Sequence, residues 1–123
     1  MLYAVLCYNN EDEVFAWSKE QEGTVMTALG KVNERLAREG KLGPVARLMP
    51  TTTATTLRKD REPALITDGP YAETKEALLG FYVIDCASLE EIHAIARELG
   101  GCNPGGAFEI RPLLYYAPGT TGT

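Results

Sequence analysis

The sequence is poor in the residues that most often do chemistry. It has one histidine, one tryptophan and three cysteines in 123 residues. Cys7, Cys86 and Cys102 are widely spaced and form no C-x-x-C pair, which removes the usual zinc and dithiol-exchange arrangements. Cys7 and Cys86 lie inside apolar runs, where a free thiol behaves as a small core hydrophobe. There is no P-loop, no G-x-G-x-x-G and no G-x-S-x-G, so nucleotide binding and serine hydrolysis lack their signatures. No apolar run approaches the roughly 18 residues of a membrane span. The apolar start, Met1 to Tyr8, has neither the basic flank nor the cleavage site of a secretory signal. A cytoplasmic protein without membrane contact is therefore expected. Positive charge is also in the minority, with 12 Lys and Arg against 17 Asp and Glu for a net charge of −5. A nucleic-acid footprint needs clustered basic residues and is not expected; an acidic balance favours solubility and would suit a basic protein partner.

What is present is the composition of an ordinary globular domain, 45% hydrophobic and 24% charged. One domain over residues 1–116 is expected, followed by a polar tail, 117–123, rich in Gly and Thr. Leu2 to Tyr8 is apolar on both strand faces, as a central strand covered on both sides would be. Val25, Met26, Leu29, Val32 and Leu36 recur at helical spacing, with Gly40 as a stop and a start somewhere between Glu11 and Glu22. Gly43–Pro50, Ala54–Lys59 and Ala64–Thr67 read as short strands, broken by charged and Asp68-Gly69-Pro70 turns. Leu79 to Cys86 is again apolar on both faces. Ser88-Leu89-Glu90-Glu91 is a capping box opening a second helical stripe, Leu89, Ile92, Ile95, Ala96 and Leu99, which Gly100-Gly101 is expected to end. Gly100 to Gly106 reads as a flexible loop, and Phe108 to Tyr116 as a last strand, bent or at an edge because Pro112 cannot donate to a ladder.

Two strand–helix–strand units in series predict an α+β, ferredoxin-like split βαβ sandwich. Helices cover only one face of such a sheet. Because two strands are apolar on both faces, a second copy of the sheet is the simplest cover for the other, and closed C2 dimers are the commonest oligomers.

The segment Thr67-Asp68-Gly69-Pro70-Tyr71-Ala72-Glu73-Thr74-Lys75-Glu76, followed by Leu79-Gly80-Phe81-Tyr82-Val83-Ile84 and later by Glu109-Ile110-Arg111-Pro112, resembles the signature of the DGPF branch of the YCII-related proteins. The resemblance covers most of the chain and implies a dimeric α/β barrel. It implies little about activity. Members often stand beside extracytoplasmic-type sigma factors in the genome, which makes such a factor a candidate partner, and one relative outside the branch acts on a chlorinated aromatic. Two departures stand out. Tyr71 replaces the usual Phe, and the His–Asp pair of some superfamily members has no counterpart, since the only histidine, His93, falls in the second helix.

Candidate site residues cluster around that segment. Asp68 either caps its own turn or aims a carboxylate into a pocket as a general base. Glu73, Lys75 and Glu76 either form solvated pairs or converge with Asp68 in a cleft where they shift one another's pKa values. Tyr71 and Tyr82 are core aromatics or pocket walls. Arg111 pairs with Glu109 or holds an anionic ligand. The carboxylate spacing matches no Ca²⁺ loop, and neither metal nor cofactor is expected. Two functions remain open: a dimeric regulatory or interaction module, with or without a small-molecule ligand, and a cofactor-independent enzyme acting on a small organic acid or aromatic with Asp68 as base.

Overall fold

A computed structural model describes residues 1–121 of the chain; the last two residues of the expected tail lie outside them. Strand β1 (Leu2–Asn9) is followed by a single helical turn, α1 (Glu11–Val14), and by the long helix α2 (Lys19–Arg38). Strand β2 (Leu42–Arg47), a 3-10 turn at Thr51–Thr53, the hairpin strands β3 (Thr55–Arg58) and β4 (Leu65–Asp68), strand β5 (Ala77–Asp85), helix α3 (Leu89–Cys102) and strand β6 (Ala107–Pro112) complete the order. The main sheet runs β2-β5-β1-β6, and each neighbouring pair is antiparallel. That order and pairing are compatible with a ferredoxin-like fold, with β3 and β4 forming a separate two-stranded sheet inserted between β2 and β5.

The two helices start where the sequence offers caps. Ser18 Oγ accepts from the Gln21 amide at 3.0 Å and Ser88 Oγ from the Glu91 amide at 3.1 Å. Glu91 also reaches back, accepting from the Ala87 amide at 2.8 Å, which completes the capping box. Ser88→Ala is expected to cost about 1 kcal/mol and to lower Tm by about 4 °C for a domain of this size, measurable by calorimetry. Gly40, at φ +71°, ends α2's turn in the left-handed region as the sequence predicts.

Both helices lie on one face of the sheet. Val25, Leu29, Val32 and Leu36 from α2 and Ile92, Ile95 and Leu99 from α3 pack against Tyr3, Val5, Tyr82 and Ile84. Leu36, Ile84, Ile92, Leu99 and Val5 are fully buried. Bidentate pairing of Arg35 with Glu98 ties the helices together at their solvent side.

Three expectations need correction. Helix α3 does not stop at Gly100-Gly101 but runs through them to Cys102, and the Asn103 amide closes its last turn by donating to Gly100 O at 3.3 Å. The last strand ends at Pro112 instead of Tyr116; the Leu113 amide still donates to Leu2 O at 2.9 Å, after which the chain leaves the sheet edge. The Gly-rich stretch is not a free loop. Gly105 and Gly106 take φ values of +79° and +75°, and Asn9, buried in β1, donates from Nδ2 to Pro104 O at 3.1 Å. The glycines are there because the backbone passes too close to β1 to admit a side chain.

Candidate functional site

The Asp68–Glu76 block does not gather into one site. Asp68 ends β4 opposite Thr55 and is exposed. Its carboxylate takes no hydrogen bond from its own turn among the described residues. Backbone holds that turn: the Gly69 amide donates to Ala54 O at 2.8 Å, Thr56 Oγ1 donates to Gly69 O at 2.8 Å, and Gly69 sits at φ +101°, a conformation glycine alone adopts readily. Tyr71 is 78% exposed, with the Arg58 guanidinium 5.5 Å from its ring centre. Lys75 and Glu76 are exposed. Only Glu73 of the charged group lines a cleft, of about 370 Å³, with Glu11, Thr51 and Gly69. Glu11 is the residue the sequence did not flag. It accepts from the Thr51 amide at 3.0 Å and from the Thr51 hydroxyl, and these bonds hold its carboxyl below the ordinary range. Arg111 stands on β6, 70% exposed, with Glu109 3.8 Å away. His93 is exposed on α3.

Tyr82 is elsewhere. It is buried on the helix side of β5 and lines a chamber of about 330 Å³ between α2 and the sheet. That volume lies at the small end of the range for ligand pockets. Leu29, Phe108 and Trp17 supply apolar walls, and Gly30 leaves open space where a side chain would stand. Polar atoms are few. Asn9 is satisfied by Pro104 and Asn10, whereas the Oδ1 atoms of Asn33 and Asn103, both buried, have no hydrogen-bond partner. Burial pushes the Cys7 thiol up to about 11. Burial, with Cys7 and Cys102 nearby, pushes the Tyr82 phenol up to about 12. Both groups are therefore neutral at physiological pH. In the folded state each holds its proton more tightly than in the unfolded chain, so their contribution is fully present below the ordinary Cys value of 9.0 and is lost as pH rises toward about 11. The urea midpoint is expected to stay level from neutral pH to about pH 9 and then fall, and Cys7→Ala should make the fall shallower without moving its onset, because burial raises the Cys86 thiol above 9.0 as well.

The model of the YCII-related domain matches residues 1–116. The chain belongs to the YCII-related family. An uncharacterized protein of Rhizobium meliloti (strain 1021) is 57% identical over 120 residues, covering 97% of this chain and 97% of that protein. Within this YCII-related chain, the segment that carries the family resemblance is held as a backbone turn beside the Glu11–Glu73 cleft, while the chamber is built from residues outside that segment, apart from those of β5. No cluster of three or more His, Cys, Asp or Glu side chains that could hold a metal ion occurs among the described residues, and no helix there is long and apolar enough to cross a membrane.

Proposed function

We propose that this YCII-related protein is a homodimeric interaction module in which two copies of the sheet pack face to face. Support comes from the sheet face that the helices leave uncovered. Leu2, Ala4, Leu6 and Tyr8 of β1 share that side with Phe81 and Val83 of β5 by strand register, opposite the face that meets α2 and α3. All but the buried Val83 are half-exposed in the single chain. A contiguous apolar strip of this kind at the centre of a sheet marks an interface. Its charged neighbours by register are Glu109 and Arg111 of β6, of opposite sign, and Asp85 of β5 opposite Leu2, which the N-terminal ammonium pairs at 3.1 Å. A chain with a net charge of −5 thus meets its copy over a surface that does not repel itself, and in an isologous pairing each Arg111 can face a Glu109 of the other protomer. Further large apolar side chains are exposed at Leu57 and Ile66, cross-strand partners in the hairpin, and at Leu114 and Tyr115 after β6, which would extend the contact toward the roughly 800 Å² per partner of a stable dimer.

In this dimer the Asp68 turn serves architecture, closing the end of the β3–β4 hairpin. A second protein, of the sigma-factor class that the family resemblance implies, would engage the acidic outer surface. The enzyme alternative would use Asp68 as base, Tyr71 or Lys75 to orient the substrate and Arg111 to hold an anion, and the exposure of all four weighs against it. Binding between copies stabilises the folded state by mass action, so Tm should rise with protein concentration across the micromolar range. A Tm independent of concentration would count against the dimer.

A further inference from the structure

We propose that the chamber between α2 and the sheet binds a small uncharged compound with an apolar body and a carbonyl-type acceptor, of the ketone, aldehyde or ester class, whose oxygen takes a hydrogen bond from the phenol of Tyr82.

Two independent features meet there. The first is space, about 330 Å³ walled mainly by apolar side chains. The second is Tyr82 itself. It lines that space and is only 7% exposed, yet its phenol forms no hydrogen bond among the described residues. A tyrosine this deep usually gives its O–H a partner, and a phenylalanine would fill the same volume without needing one. The contrast with the two asparagines matters. Oδ1 of Asn33 and Oδ1 of Asn103 have almost no accessible surface and belong to the walls, out of reach of any ligand. The Tyr82 oxygen is unpaired but not sealed in that way, so a molecule in the chamber can meet it. An accessible donor at such a depth is explained by an acceptor that arrives from outside the chain.

The rest of the lining sets the character of the ligand. Burial pushes the phenol up to about 12, so it presents an O–H throughout the physiological range. Trp17, half-buried in the wall, adds an indole N–H, which can only donate. Asn9, whose amide could have offered an acceptor, is committed to Pro104 and Asn10. The side chains thus offer donors and ask for an acceptor. Charge is excluded on the same grounds. Arg47, the one fully ionised group in the lining, is already engaged at the outer end by Glu22 at 3.0 Å and by the Phe15 ring at 5.9 Å. A carboxylate left unpaired in an apolar cavity is far costlier than a carbonyl. The rim, where Met26 and Val45 are 49% and 46% exposed, offers the way in.

Trp17 is the only tryptophan in the chain and lines the chamber, so its emission reports on this cavity. The test titrates the full-length protein with three probes built on one six-membered ring: cyclohexanone, methylenecyclohexane, in which carbon replaces the oxygen, and the cyclohexanecarboxylate anion. Cyclohexanone should give a saturable change in Trp17 emission, and the anion should bind far more weakly. Tyr82→Phe keeps the ring and removes the O–H. It should weaken cyclohexanone about tenfold, the effect of one lost hydrogen bond, and leave methylenecyclohexane unchanged. No saturable response to cyclohexanone, or an anion that binds the native protein as tightly, would overturn the proposal whether or not the variant folds. So would a folded Tyr82→Phe protein that binds cyclohexanone as tightly as the native one, or one in which both neutral probes weaken equally, since that would assign the effect to packing.

Discussion

Gly106→Ala is expected to destabilise the protein by about 2–5 kcal/mol, among the largest effects of any single methyl addition in this chain. Two costs add. A left-handed backbone costs a non-glycine residue about 1–2 kcal/mol, and Gly106 sits at φ +75°. The new Cβ would also stand 2.2 Å from the Tyr8 carbonyl oxygen and 2.9 Å from Asn9 Cγ, inside contact distance of backbone that is fixed in the middle of a sheet, and such overpacking costs about 1–3 kcal/mol. The strand cannot give way without disturbing the Asn9 bonds that tie β1 to the segment before β6. Gly23→Ala is the matching control. It adds the same methyl within α2, where nothing lies within 4 Å of the new Cβ, and should stabilise by about 0.5–1 kcal/mol. Chemical denaturation of both variants checks the contrast in sign. A neutral Gly106→Ala would mean that the loop is as free as its composition suggests.

The second large effect is expected at the uncovered sheet face. Phe81→Asp places a carboxylate beside Leu6, its partner across β1 and β5. In a single chain this position is half-exposed, so the charge remains hydrated and the fold should persist with little change in far-ultraviolet circular dichroism. In a face-to-face dimer, two such charges would be buried near each other. Desolvation of each ion costs several kcal/mol, enough to shift the association constant by a thousandfold or more. The variant should therefore be monomeric at concentrations where the native protein is dimeric. Arg111→Glu, at the edge of the same face, replaces a potential cross-dimer attraction by repulsion and should weaken association less, because the side chain is 70% exposed and surface pairs are worth about 1 kcal/mol or below.

The architecture was largely legible in the residue pattern, and the reasons are local. β1 and β5 announce themselves as central by being apolar on both faces. Val25, Leu29, Val32 and Leu36 mark the buried side of α2 by period alone. Ser88 and Glu91 write out the start of α3. The errors fell where neighbours outweigh composition. Gly100 and Gly101 are poor helix formers, yet α3 runs through them to Cys102, with Gly100 packed beside the Phe108 ring of β6. Gly105 and Gly106 look like a flexible loop, and only the position of β1 shows why nothing larger fits.

The site was less legible. Asp68, Glu73, Lys75 and Glu76 are dense in sequence, and density suggested convergence, but a chain that turns at Gly69-Pro70 and then runs exposed to β5 spreads its charges into water. Tyr82, read as a core aromatic or a pocket wall, is buried in the helix-side core and also lines the chamber, whose Trp17, Asn33 and Asn103 come from three distant segments that no short motif joins.

The most direct test of the dimer is the mass of the native protein in solution, by size-exclusion chromatography with light scattering at micromolar concentration, beside Phe81→Asp. The face-to-face sheet packing predicts twice the 13.4 kDa chain mass for the native protein and a single chain mass for the folded variant. A native protein of single chain mass, or a Phe81→Asp variant that remains fully dimeric, would contradict it.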